Sequence, residues 1–237
     1  MQPPFRAEHV GSLLRPAALL AMRARYNSGE ISRATLTEAE NQAIDVAIAM
    51  QARLGFKLAT DGEFRRRSYH SFFYQQLGDL AIDTVAGEDA RGAGHGGRAS
   101  QPVAVVRGRV EWTHPINVDD FNYLQTHAKA LPKITIPGPC ALHFRGGDAA
   151  VKAHAYRDLD TFWDDTVTAF RKELLALHAA GCRYVQIDET AFAKFGDPDV
   201  QESLKARGDD WSALIDTYID VTNRMLRGLP ADLAIGM

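Results

Sequence analysis

The chain has 237 residues, 46% of them hydrophobic and 24% charged, the profile of a folded globular protein with room for one α/β domain. Its formal net charge of -3 argues against a nucleic-acid binder that works by phosphate neutralisation. No stretch approaches the ~20 consecutive apolar residues of a membrane helix, and Met1-Gln2-Pro3-Pro4-Phe5-Arg6 carries no signal-type apolar run.

In chain order, Ala7–Val10 reads as a first strand. Thr35-Leu36-Thr37-Glu38 has the form of a capping box, and Ile44, Ala47, Ile48 and Met50 continue it as a helix that Gly55 ends. Phe56–Thr60 follows as a strand and delivers Asp61-Gly62-Glu63. Ala86–Ser100 holds five glycines and few apolar residues, so a mobile loop is expected there, either a lid or a tolerated insertion. Val103–Trp112, broken at Arg107-Gly108-Arg109, reads as an inserted hairpin. Lys133–Ile136 is a third strand running into Pro137-Gly138-Pro139. Asp158-Leu159-Asp160 opens a long helix with Phe162, Phe170, Leu174 and Leu177 at helical spacing, closed near Gly181. Arg183–Ile187 is a buried strand ending in Asp188-Glu189-Thr190, and Asp209–Gly228 is another helix. Leu233-Ala234-Ile235-Gly236-Met237 reads as one more buried strand. A core strand with no helix after it leaves one face uncovered, which predicts that the sequence belongs to a longer protein.

Strands alternating with helices predict a parallel α/β architecture of (β/α)₈ TIM-barrel type, with residues 1–237 as one domain. About five parallel strands plus the hairpin are expected, short of the eight of a closed barrel, and hence an incomplete one.

Ligands of such folds bind beyond the carboxyl ends of the strands. Each candidate strand ends in suitable groups: Glu8, His9, Gly11 and Ser12; then Asp61 and Glu63; then Pro137-Gly138-Pro139 with His143 close behind; then Asp188 and Glu189. Acids at separate strand ends suit a cationic group such as an amino acid's ammonium, or a metal. Asp188 directly follows an apolar strand, so its carboxylate should be partly desolvated and favour a cation. His9 beside Gly11-Ser12 would offer ring and backbone donors to a carboxylate, or would serve as a structural histidine. Arg65-Arg66-Arg67 is either a solvated face or a set of anion contacts. Tyr69, Phe72, Phe73 and Tyr74 read as core or lid packing.

No metal-ligand motif is visible, and Cys140 and Cys182, far apart, read as buried thiols in a reducing cytoplasm. Dinucleotide, Walker-type and nucleophile-elbow loops are absent from the sequence as well.

Four segments in order resemble the cobalamin-independent methionine synthase family, in particular short single-barrel relatives of its C-terminal catalytic domain. They are Arg6–Pro16, Thr60–Arg66, Ile134–Pro139 and Val185–Glu189. The resemblance implies a zinc-dependent transfer of methyl from 5-methyltetrahydrofolate, or a related donor, to the thiol of homocysteine, as in 5-methyltetrahydropteroyltriglutamate–homocysteine methyltransferases. Zinc would lower the thiol's pKa. Carried over by position, Gly11 and Ser12 would meet the amino acid's carboxylate, and Glu63 and Asp188 would hold its ammonium. The family's zinc ligands begin with a His-x-Cys pair on the strand after the Ile-Asp-Glu strand. They are expected beyond Met237, so this chain would hold the amino-acid half of the site and be inactive alone. Arg145 stands about where full-length synthases place a tryptophan against the folate, which leaves the donor open. Alternatives are another thiol or alkyl transferase of the superfamily, a uroporphyrinogen decarboxylase-like enzyme using Arg6 and Arg15, or a non-catalytic amino-acid-binding protein. Neither a nucleic-acid nor a membrane partner is expected.

Overall fold

The computed structural model describes residues 8–78, 80–85 and 101–237. Two helices come first. Ala17–Asn27 (α1) packs on Arg33–Arg53 (α2), whose N-cap is Ser32, accepting from the Thr35 N–H at 3.1 Å. The predicted capping box is therefore displaced by one turn: Thr35 lies inside the helix, and the residue that satisfies its N–H is the serine three positions earlier.

The framework is a parallel arc. Leu58–Ala59 (β1) pairs with Leu131–Pro132 (β4), and the Lys133 N–H continues that ladder to the Ala59 carbonyl at 2.9 Å. Ile134–Pro137 (β5) carries the same strand onward and pairs with Tyr184–Asp188 (β6), which pairs with Ala234–Gly236 (β7). All of β5 and nearly all of β6 are buried, as expected of parallel strands covered on both faces. Among the described residues this arc does not close into a barrel.

The expected first strand is not formed: residues 8–10 pair with no strand. Side chains hold them instead. Lys133 Nζ reaches Glu8 Oε2 at 3.2 Å and the His9 carbonyl at 2.5 Å, and the Tyr184 hydroxyl donates to Glu8 Oε1 at 2.9 Å. Ala7 and Arg6 lie outside the described residues.

The hairpin also differs. Leu80–Val85 (β2) pairs antiparallel with Gln101–Val106 (β3), so Arg107-Gly108-Arg109 follows the hairpin and does not form its turn. The register of Leu80 with Val106 through Val85 with Gln101 is a longer ladder than the sequence around Arg107 provides. Ala86–Ser100, predicted as a mobile loop, lies outside the described residues.

Helix Leu159–Ala179 (α7) matches its prediction, capped by Asp158 accepting from the Thr161 N–H at 2.7 Å. Phe162, Val167, Phe170, Leu174 and Leu177 recur at helical spacing and are buried. Trp211–Leu226 (α10), capped by Asp210, packs against α7. The remaining helices are Ser71–Tyr74 (α3), Val118–His127 (α4), Ala141–Phe144 (α5), Gly147–Lys152 (α6), Ala191–Lys194 (α8) and Pro198–Arg207 (α9). No described helix is long and apolar enough to cross a membrane.

Candidate active site

The loop after β1 is the most tightly determined part of the rim. Gln51 of α2 accepts from the Thr60 N–H at 3.0 Å and donates to its carbonyl at 2.8 Å. Asp61 Oδ1 accepts from the Glu63 N–H at 2.8 Å. Arg15 donates to the carbonyls of Glu63 at 3.1 Å and Arg66 at 2.9 Å, and Arg23 donates to that of Phe64. These bonds hold Glu63 at φ 58°, the one positive φ among described residues other than glycine. Left-handed backbone at a residue with a long side chain is costly and persists only where its surroundings dictate it; such residues gather at functional sites. Arg15 Nη2 thus serves two backbone carbonyls of this loop, while its Nε is buried without a hydrogen-bond partner among the described residues.

Glu63 is buried, and its Oε1 has no hydrogen-bond partner among the described residues. Burial pushes its carboxyl pKa up; Arg66 opposes this, while the charges of Asp188 and Asp61 push in the same direction. Asp188, half-buried at the end of β6, is also raised by burial, against a hydrogen bond from Gln186 Nε2 at 2.6 Å and the charges of Arg66 and Lys133. Glu63 therefore senses the charge of Asp188 across one intervening strand. Both are destabilised as anions, and an ammonium between them would relieve both.

Two cations frame the acids. Arg66 is buried, donates to the Thr135 carbonyl at 2.9 Å, and stands 4.0 Å from Glu63 Oε1. Lys133 is buried at the junction of β4 and β5; besides Glu8 and His9 it reaches Gln186 Oε1 at 2.7 Å. Sequence reading treats Lys133 only as a strand residue. Its one signal was a lysine inside an otherwise apolar strand, a residue type almost never fully buried unless paired.

The other predicted site residues fall as follows. His9 lies in the segment held by Lys133, and its Nε2 is buried without a hydrogen-bond partner among the described residues. Gly11 has φ +80° and open space above its Cα, while Ser12 is exposed. Gly11, Ser12 and the Glu63 loop are brought together by the Leu13 N–H, which donates to the Gly62 carbonyl at 3.1 Å. Glu189 has both oxygens committed to backbone, Oε2 accepting from the Cys140 N–H at 2.9 Å and Oε1 from the Ala191 N–H at 3.0 Å. His143 is buried with its Nδ1 on the Tyr218 hydroxyl at 2.8 Å and its Nε2 on Asp148 at 3.0 Å. Neither Glu189 nor His143 presents a free polar atom to the rim. Of the arginine run, Arg65 pairs with Asp120 at 3.0 Å and Arg66 faces inward, so only Arg67 is a solvated residue. Phe73 and Tyr74 are core, the Tyr74 hydroxyl donating to the Gly138 carbonyl at 2.6 Å.

No three His, Cys, Asp or Glu side chains among the described residues converge as a metal site. Cys140 and Cys182 are both buried free thiols, Cys140 pushed far up and Cys182 to about 11 by burial, the opposite of what a metal-bound thiolate needs. Two cavities of about 330 and 550 Å³ lie elsewhere, near Arg109 and Glu111, and hold none of the strand-end acids.

Comparison with known proteins addresses the family and the fold. The chain is 33% identical over 235 residues to the uncharacterized protein YxjH of Bacillus subtilis (strain 168), covering 99% of this chain and 61% of that protein. It is 27% identical over 228 residues to the 5-methyltetrahydropteroyltriglutamate–homocysteine methyltransferase of Paraburkholderia xenovorans (strain LB400), covering 95% of this chain and 27% of that one. Among solved structures, one from Listeria monocytogenes assigned as a vitamin-B12 independent methionine synthase superposes with a TM-score of 0.78 at 29% identity, over 99% of this chain and 65% of that chain. A B12-independent methionine synthase from Shewanella sp. W3-18-1, in complex with selenomethionine, shares the fold with a TM-score of 0.62 at 20% identity, over 87% of this chain and 53% of that chain. The chain thus spans about three fifths of the length of its Bacillus relative. The family model described as the catalytic domain of cobalamin-independent synthase matches residues 5–217, and the chain belongs to the cobalamin-independent methionine synthase family.

Proposed function

We propose that this rim binds the amino-acid acceptor of a methyl transfer, homocysteine, whose thiol receives a methyl group from 5-methyltetrahydrofolate or a related donor. The observation that supports the reading is the pair Glu63 and Asp188: two desolvated carboxylates on separate strand ends, the charge of Asp188 raising the cost of charge on Glu63, with Glu63 Oε1 lacking a hydrogen bond among the described residues. An ammonium seated between them restores both charges with charge-assisted hydrogen bonds. In this reading Gly11 and Ser12, tied to the same loop through Leu13, would meet the carboxylate of the amino acid; the positive φ of Gly11 turns the backbone there.

In this reading the chain's own residues bind and orient. Asp61, Arg15 and Gln51 fix the loop before the ligand arrives, so little ordering entropy remains for binding. Lys133 holds the Glu8–His9 segment against the strands and, through Gln186, sets the direction of Asp188. Zinc, expected from the family, would supply a thiolate near neutral pH. The described residues do not fit it, so no step is assigned to it here. We place the whole enzyme, a complete (β/α)₈ barrel, in the cytoplasm, consistent with two free buried cysteines. Calorimetric titration of L-homocysteine into the protein and its Glu63→Gln variant tests the binding role. Unchanged affinity in the variant would remove the basis of the proposal.

A further inference from the structure

One face of β6 carries Tyr184, Gln186 and Asp188, alternate residues whose side chains leave the strand on the same side. Lys133, fully buried just before β5, stands over the Tyr184 ring at 5.7 Å. It donates to three acceptors: Glu8 Oε2 at 3.2 Å, the His9 carbonyl at 2.5 Å and Gln186 Oε1 at 2.7 Å. An ammonium has three hydrogens, so all its donors are used. The Tyr184 hydroxyl, donating to Glu8 Oε1 at 2.9 Å, completes the group.

The lysine dictates which way the Gln186 amide points. An ammonium only donates, so Oε1 of Gln186 must face it, and Nε2 then faces Asp188 Oδ1 at 2.6 Å. The reversed amide would set N–H against ammonium and oxygen against carboxylate. Burial raises the Asp188 carboxyl pKa, and the Gln186 bond, then the charges of Arg66 and Lys133, pull it back toward the anion. Oδ1 of Asp188 is thereby taken by the protein, while Oδ2 accepts no hydrogen bond among the described residues. The same lysine, through the His9 carbonyl, holds the chain two residues before Gly11. One buried cation is thus bonded to both walls of the site, directly to the first and through Gln186 to the second.

We propose that Lys133 and Gln186 are positioning residues that fix the spacing between the Gly11–Ser12 segment and Asp188, and so select an α-amino acid over its β-homologue. The inference rests on the amino-acid reading of the rim. In an α-amino acid the ammonium and carboxylate leave one carbon, whereas a β-amino acid sets them one carbon further apart. Walls free to move would take either. Walls bonded to one ammonium cannot separate without breaking a buried hydrogen bond, so the longer ligand is bound less well. Gln186 acts on the ammonium end alone, through Asp188; Lys133 acts on both ends.

The test is calorimetric titration of three ligands into the protein and its Gln186→Met, Gln186→Leu and Lys133→Met variants, weak ligands being read by displacement of L-homocysteine. The ligands are L-homocysteine, its β-homologue 3-amino-5-mercaptopentanoate, and 4-mercaptobutanoate, which lacks the ammonium. The parent should bind L-homocysteine at least about tenfold more tightly than the β-homologue, and Gln186→Met should lose about tenfold for L-homocysteine, as when a charge-assisted hydrogen bond goes. Its affinity for 4-mercaptobutanoate should stay as in the parent, and its preference for α over β should shrink. Gln186→Leu should repeat the pattern. Lys133→Met should weaken 4-mercaptobutanoate as well, and the Gln186 variants decide the matter if it does not fold. Equal L-homocysteine affinity in parent and Gln186 variants overturns the proposal and leaves the amino-acid reading standing. Loss of all three ligands by one common factor in the Gln186 variants does the same, because it marks a merely structural role. L-homocysteine that does not bind the parent overturns the amino-acid reading and this inference with it.

Discussion

Glu189 Oε2 stands where a side chain on Gly138 would begin: a Cβ at that position would come within 2.2 Å of the oxygen and 2.8 Å of the Glu189 Cα. The Pro137-Gly138-Pro139 turn and the Ile-Asp-Glu strand end are therefore one unit, locked because glycine lets the two backbones approach. Gly138→Ala should displace the Glu189 carboxylate and leave the Cys140 and Ala191 N–H groups without their acceptor. A loss of about 2–3 kcal/mol is expected. Urea denaturation checks it: the midpoint should fall with little change in slope.

Lys133 carries a second, separable prediction. Lys133→Met removes a buried cation and strands Glu8, the His9 carbonyl and Gln186. Breaking one side of such a pair costs about 3–5 kcal/mol in buried settings. The double variant Lys133→Met/Glu8→Gln should lose less than the sum of the single losses, because the uncompensated carboxylate is gone. Strict additivity of the two by chemical denaturation would show that Lys133 and Glu8 do not work as a pair.

His70 should contribute to the acid limb of stability. It is buried and neutral, with its folded pKa lowered from 6.5 to about 4 by desolvation and by Arg145 and Lys194. A base with a depressed folded pKa contributes stability that is complete above its unfolded value near 6.5 and declines as the pH falls toward 4. The loss attributable to this group should reach about 3 kcal/mol at the bottom of that window. Unfolding free energies measured at pH 7.5, 5.5 and 4.5 should fall in that order, and His70→Gln should flatten the slope. An equal slope in the variant would assign the acid sensitivity to other groups.

Glu63 and Asp188 behave in the opposite sense. Their folded carboxyl pKa values are raised, so each weakens the unliganded fold when charged, and that cost disappears as the pH falls through the folded pKa. Glu63→Gln and Asp188→Asn should each make the unliganded protein more stable at pH 7 while weakening amino-acid binding. Gain of stability with loss of affinity distinguishes a strained binding residue from a structural one, whose removal would lower stability.

Much of this was legible in the sequence where local chemistry decides. The Asp158 cap, the α7 stripe of Phe162, Phe170, Leu174 and Leu177, and the apolar strand ending in Asp188 all depend on near neighbours and appear as predicted. The ordered strand-end segments were enough to indicate the family that the comparisons show. What the sequence hid is long-range. Lys133 finds its partners 124 and 125 residues earlier and Arg15 reaches 48 and 51 residues onward, so neither role has a local signature. The hairpin was misplaced because Leu80–Val85 and Gln101–Val106 pair across the segment between them, while Arg107-Gly108-Arg109 only resembles a turn. Glu189 follows β6 and His143 lies in α5, after β5, and their side chains turn inward to hold those segments.

The ammonium site is tested by the dissociation constant of L-homocysteine for the protein and for Asp188→Asn, measured by isothermal titration calorimetry at pH 7.5. Asp188→Asn should lose about 1–3 kcal/mol in binding, roughly five- to 150-fold, with the unliganded variant at least as stable as the parent. Equal affinity in the two proteins, with both folded, would contradict it.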